Sequence, residues 1–229
     1  MKALMNSEAY LKICYSEAAV YHPSEAEFLA ACQQNSGNND SLGLDEGLEE
    51  VFIPPEFSGS HHESHPNSVI LFPSFNASRS KGVLAHIDPT LLVSKSRKIY
   101  WLIGKPHLSK DTWRLDAMRK INHLSPDAFT CHDVSTFDYK EALTRCEKIY
   151  EDVCEECNVT LIPFGSKMQT IAAAFFLYLH PDVRVILAKP KRYKPSRYTE
   201  GCAQQWQVEI KETGLLRKTL NNLGQFVIE

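Results

Sequence analysis

No stretch of this 229-residue chain approaches the roughly 18 consecutive apolar residues of a membrane-spanning helix. The first residues, MKALMNSEAYLK, turn polar and acidic too early for a secretory signal. There is no basic excess either. The net charge of -3 argues against a general nucleic-acid coat, though basic residues can still gather locally. The seven cysteines are an odd number without a secretion signal, which is the pattern of reduced thiols. Cys154 and Cys157 form the one C-x-x-C; with no second pair and no nearby His pair, they read as ordinary helix cysteines rather than a zinc set. The expectation is a cytosolic protein.

Two phosphate-binding fingerprints are also missing. G-x-G-x-x-G is absent, the first strand-to-helix turn (PSFNASRS) has no glycine, and PFGSKMQT lacks the first glycine of a P-loop. No carboxylate stands out as a magnesium ligand after another strand, so no cofactor is implied. His61 and His65 are four apart, but the zinc-protease helix places its Glu directly after the first His. Here Gly59, Ser60, Ser64, Pro66 and Asn67 mark a surface loop instead. The nucleophile elbow G-x-S-x-G is absent too. Ser166, His107 and Asp138 are present without it, and His132 beside Asp133 reads as a structural histidine before a general base.

What is there is ordinary globular material, 43% hydrophobic and 23% charged. Residues 1–68 read as a helical and loop extension. Leu4, Tyr10, Leu11 and Cys14, then Phe28, Leu29 and Cys32, recur at helical spacing, and Ser24 with Glu27 makes a capping box. Residues 33–47 read as a loop and VFIPP (51–55) as a short edge strand. From residue 69 to 229 apolar runs alternate with amphipathic stretches. VILFP (69–73), KIYWLIG (98–104), AFTCHDV (128–134), NVTLI (158–162) and VRVILAK (183–189) predict strands, and WQVEI (206–210) a sixth. Helices are predicted through Ala77–Ile87, Trp113–Ile121, the stretch carrying Leu143, Cys146, Ile149, Tyr150 and Val153, Met168–Leu179, and Leu215–Leu223. Such alternation implies right-handed βαβ units: an α/β, Rossmann-like fold with a mostly parallel sheet of five or six strands and helices on both faces.

Ligands of open α/β sheets bind outside the carboxyl ends of the strands. The residues just after each strand are Ser74, Asn76 and Arg79; Gly104, Lys105 and His107; Ser135 and Thr136; Gly165, Ser166, Lys167, Gln169 and Thr170; and KPKRYKPSRY, with Lys189, Lys191, Arg192, Lys194, Arg197, Tyr193 and Tyr198. Four of five edges carry a cation. That segregation, in a chain with more acids than bases, points to an anionic ligand, a nucleotide or another phosphate. Arg and Lys grip phosphates and tyrosines stack on bases. The centre of the pattern is NVTLIPFGSKMQT, an apolar strand entering a glycine turn and then a helix N-terminus, where free N–H groups, the dipole and the Lys167 charge all favour an anion.

That stretch resembles the Gly-Thr-Lys-Met motif of CRISPR-associated Rossmann-fold (CARF-like) sensor domains and their relatives in prokaryotic antiviral systems. Gly165, Ser166, Lys167 and Met168 carry the match, and the strand–helix succession over 69–210 follows it in outline. The resemblance implies a regulatory domain in antiviral defence that binds signalling nucleotides, typically cyclic oligoadenylates, at a dimer interface near the strand ends. The chain departs from the family in having no recognisable fused effector and in its first 68 residues. The expected ligand contacts are Lys167 and Arg197 on phosphates, Ser166 and the Gly165–Lys167 backbone around one, and Asn76 or Tyr198 on base or ribose, with Ser74, Arg79, Lys105 and Thr170 nearby. The expected partners are an anionic small molecule and a second copy or an effector protein, with no membrane. An enzyme acting on a nucleotide or phosphorylated metabolite at the same edge, and a non-catalytic scaffold subunit, are the alternatives.

Overall fold

The structure, a computed structural model, describes residues 11–33, 42, 45–92, 99–125 and 130–210. Contacts group the chain into two units, Pro23–Arg197 and Met1–His22 with Tyr198–Glu229. In chain order the strands are β1 (Leu11–Ser16), β2 (Asp45–Glu46), β3 (Glu50–Phe52), β4 (Asn67–Phe72), β5 (Ile99–Lys105), β6 (Cys131–Ser135), β7 (Asn158–Pro163), β8 (Arg184–Val185), β9 (Leu187–Lys189), β10 (Arg192–Tyr193) and β11 (Gln205–Ile210). The helices are α1 (Glu25–Gln33), α2 (Ala77–Ile87), α3 (Trp113–Ile121), α4 (Tyr139–Val153) and α5 (Lys167–Leu179).

The larger unit is an α/β, Rossmann-like fold built on a five-stranded parallel sheet of order β6-β5-β4-β7-β8. Its central strand β4 is apolar from Val69 to Phe72 because both of its faces are covered, the signature of a parallel strand between helix layers. Right-handed crossovers put α2 and α3 on one face, and the reversal between β6 and β7 puts α4 and α5 on the other. On the first face Val69, Leu71, Ile99 and Ile162 pack with Val83 and Leu84 of α2. On the second, α4 packs on α5, which buries Ala172, Ala173, Phe175 and Phe176. Phe72, Phe175 and Phe176 are fully buried, each worth about 1.5–3 kcal/mol against exposure. Helix α4 carries its apolar stripe where the spacing places it, with Leu143, Cys146 and Ile149 buried and Tyr150 and Val153 half-buried.

The edges differ from the sequence reading in three places. Leu11 and Cys14 lie in strand β1, not in a helix; Leu4 and Tyr10 lie outside the described residues. WQVEI forms β11, which pairs antiparallel with β1 from Leu11↔Ile210 to Ser16↔Gln205 in the smaller unit, rather than extending the parallel sheet. LKICYS and QWQVEI both alternate, so Ile13 and Tyr15 stand opposite Val208 and Trp206, a cross-strand pairing that a period of two allows and a helix does not. The run VRVILAK divides: β8 joins the sheet, and β9 pairs antiparallel with β3. The helix expected over 215–223 lies outside the described residues, as does much of the 33–47 loop.

Ser24 and Glu27 do close the capping box of α1: the Glu27 N–H donates to Ser24 Oγ (3.3 Å), and the Ser24 N–H to Glu27 Oε2 (2.7 Å). In the smaller unit, Trp206 Nε1–H donates to the buried Glu17 carboxylate at 2.6 Å. No helix among the described residues is long and apolar enough to cross a membrane.

Candidate functional site

The strand order reverses between β4 and β7, and the carboxyl ends of such a pair are where doubly wound sheets place their ligand crevice. The Phe164 N–H donates to the Phe72 carbonyl at 3.1 Å and ties those ends together. Gly165 follows because nothing larger fits: a Cβ there would collide with the Gln169 carboxamide and lie 3.0 Å from Phe72 Cβ. Ser166 then caps α5 in extended backbone, accepting from the Gln169 N–H at 3.1 Å, while Gln169 Oε1 accepts from the Ser166 N–H at 2.9 Å.

Gln169 is only 2% exposed and reaches further, donating from Nε2 to the Ser135 carbonyl (3.2 Å). Ser166 Oγ donates to the Thr136 carbonyl at 2.6 Å. The chain leaving β6 is thereby drawn back over Gly104, where a Cβ would sit 2.7 Å from Thr136 Cγ2. Two of the N–H groups at the start of α5 are consumed in this box. The N–H groups of Lys167 and Met168, the first two residues of α5, belong to the turn that has no intrahelical acceptor. Thr170 turns its hydroxyl back to the Ser166 carbonyl (3.0 Å). Lys167 is exposed and has no ion pair among the described residues.

Across the crevice, Asn76 caps α2 by accepting from the Arg79 N–H (3.1 Å), and its own N–H donates to Ser74 Oγ (3.3 Å). Its side-chain amide donates to the carboxylate of Asp45, which is 3% exposed. Arg79 donates from Nη1 to the other Asp45 oxygen (3.1 Å) and from Nη2 to the Ala188 carbonyl (2.8 Å), with its guanidinium 4.2 Å above the Phe164 ring. The first strand-to-helix turn therefore already holds an anion, supplied by the chain itself.

The basic 189–197 segment is similarly engaged. Strand β10 pairs with β2, and β9 with β3. Lys189 meets Glu49 at 3.2 Å, Lys194 meets Glu46 at 3.9 Å and Arg197 meets Glu27 at 2.8 Å. Lys105 lies 3.8 Å from Glu141. The acidic run Asp45–Glu50 is thus the counterpart of three strand-end cations, Arg79, Lys189 and Lys194, a pairing that the composition of either segment alone does not reveal. Tyr193 is exposed; Tyr198, also exposed, begins the C-terminal part of the smaller unit.

The reactive groups do not converge. The Ser166 hydroxyl is spent in the cap, Asp138 accepts from the Lys140 N–H to cap α4 (2.9 Å), and the His107 ring packs on Phe137 at 4.6 Å. His132 stacks on Tyr100 at 6.4 Å, and burial, helped by the Arg145 charge, pushes its pKa down. Asp133 accepts two hydrogen bonds from Arg119, at 2.5 and 2.7 Å. His61 Nε2–H donates to the Val159 carbonyl (3.0 Å), while Asn158 binds His62 and His65 through their backbone, so the histidine-rich loop is fastened to β7. Among the described residues no three His, Cys, Asp or Glu side chains gather to hold a metal, and no disulfide joins any of the seven cysteines.

Gln169 and Asp45 are the two residues on which the crevice turns. Ser166-x-x-Gln169 has capping-box spacing and could be found by it. Asp45 sits in a polar run with no periodic signal. No protein-family model matches the chain, and no curated protein is significantly similar to it.

Proposed function

We propose that the carboxyl edge of the parallel sheet binds an anionic small molecule, a nucleotide or cyclic oligonucleotide, and that the protein is a Rossmann-like sensor or regulator. The observation that carries this reading is Lys167. It is exposed and opens α5 directly after β7, next to the point where strand order reverses, in the helix turn whose N–H groups have no intrahelical acceptor. A phosphate there gains a full charge, the helix dipole and two backbone donors. Arg79 and Asn76 face the same crevice, and the exposed Tyr193 offers a ring to a base. The resemblance around Gly165–Met168 extends the reading to a cyclic oligoadenylate, to prokaryotic antiviral defence in the cytosol, and to a homodimer or an effector partner. The group geometry favours binding over turnover, because Ser166, His107, Asp138 and His132 are each held in separate packing or capping roles.

The scaffold reading has one specific observation in its favour. Gln169 and Asp45 already fill hydrogen-bonding positions at the crevice. Thermal shift measurements with ATP, cyclic tetraadenylate and a sugar phosphate separate the two, since a ligand at 100 times its Kd adds about 2.7 kcal/mol to the folded state. Stabilisation by a nucleotide is expected. A flat response to all three, with a protein partner co-purifying, establishes the scaffold.

A further inference from the structure

We propose that the acidic strap Asp45–Glu50 is a built-in competitor for the anion site: the Asp45 carboxylate holds the place on Asn76 and Arg79 that a ligand phosphate takes, and ligand binding displaces the strap. The inference rests on the anion-binding reading above.

An amide donor, a guanidinium and a helix N-terminus together make a receptor for an oxyanion. In this protein the Asn76 amide and the Arg79 guanidinium, at the start of α2, close on the Asp45 carboxylate, 31 and 34 residues earlier in the chain. The match continues along the strap. Asp45, Glu46 and Glu49 meet Arg79, Lys194 and Lys189, so successive acids of the strap neutralise successive cations of the strand-end surface. A polyphosphate chain likewise presents several negative charges in a row.

Only one of those contacts is desolvated. Lys189 and Glu49 are about half exposed at 54% and 50%, and Glu46 is 57% exposed, so these pairs contribute little and weaken with salt. Strands β2 and β3 span two and three residues, and each borrows a single partner strand. The strap is thus held chiefly at Asp45, with Leu48 and Val51 lying on the core surface. A buried ion pair is a poor source of stability but a good switch, because loss of one charge leaves the other to be satisfied by something else. Apparent affinity then scales with the fraction of molecules in which the strap is off the site.

Isothermal titration with ATP as the probe tests this on the full chain. Asp45→Asn keeps the shape and loses the charge; it is expected to bind ATP about tenfold more tightly than wild type, as removal of a competing state requires. The Glu46→Gln/Glu49→Gln double variant leaves the Asp45 contacts intact and is expected to gain about threefold at low salt. Hydrogen exchange provides an independent readout. The Glu49 N–H donates to the Lys189 carbonyl at 2.9 Å and should exchange faster once ATP binds. If ATP binding depends on Lys167 but neither charge variant tightens it and Glu49 exchange is unchanged, the strap is structural and this inference fails while the anion site stands. If neither wild type nor Asp45→Asn binds ATP, both fail together.

Discussion

Gln169 and Ser166 exchange hydrogen bonds in both directions across the first turn of α5, and the same Gln169 amide reaches the Ser135 carbonyl at the end of β6. One buried side chain therefore fixes the glycine turn, the helix start and the neighbouring strand end. Gln169→Ala leaves the Ser166 N–H and the Ser135 carbonyl without that partner in a dry site. Urea denaturation should show a loss of about 1–3 kcal/mol. A loss under about 0.5 kcal/mol, the range of ordinary surface substitutions, would mean that the box is ornamental.

Gly165→Ala acts on the same turn by crowding. The new methyl meets the Gln169 carboxamide and Phe72 Cβ, and both are held by the core. We expect a loss of about 1–3 kcal/mol by overpacking, and no further loss when Gln169 is also truncated to Ala, because the smaller side chain removes the main collision. Additive losses in the double variant would contradict the geometry.

A pH effect follows from two histidines. Burial is the main force lowering the pKa of His61 and His132 from 6.5, with the charges of Arg184 and Arg145 as lesser contributors. His61 Nδ1 is buried without a partner, so a proton placed there gains no hydrogen bond. Below pH 6.5 the unfolded chain takes up protons that the folded protein refuses, and stability therefore falls with pH between neutrality and the lowered folded values. The melting temperature should be lower at pH 5.5 than at 7.5, and His61→Gln/His132→Phe should shrink the difference. An undiminished difference in the double variant assigns the effect elsewhere.

The thiols sort by position. Cys14 and Cys202 are exposed, whereas Cys146 lies wholly inside, where burial drives its pKa far up. A colorimetric thiol reagent at pH 8 should modify Cys14 and Cys202 in seconds to minutes and Cys146 only after denaturant is added. Peptide mapping that finds Cys146 among the first labelled would place it outside the core.

The sheet was legible because burial writes itself into sequence: VILF is apolar without interruption and VTLI is broken only by Thr160 where helices cover both faces, and α4 repeats its apolar residues every three or four positions. Local chemistry was legible too, in Ser24-x-x-Glu27; Ser166-x-x-Gln169 has the same spacing, but the sequence reading takes those residues only as part of a strand-end anion site. Choice of partner was not. LKICYS fits a short helix or a strand until its pairing with QWQVEI is known, and VRVILAK gives no sign that it changes partner at Ile186. The same limit hid Asp45. An ion pair between residues 45 and 79 leaves no period behind, and a run of acids reads the same whether it faces water or an arginine.

Lys167 bears the central claim most directly, because its ammonium group is exposed, lies outside the capping box and has no ion pair among the described residues. Lys167→Ala should change stability by no more than about 0.5 kcal/mol. The decisive measurement is isothermal titration of ATP and cyclic tetraadenylate into wild type and Lys167→Ala at matched ionic strength. Wild type is expected to bind at least one of them, with affinity falling tenfold or more in the variant, about 1.4 kcal/mol for one lost charge-assisted contact. Equal affinities in the two proteins, or binding in neither, would contradict the account.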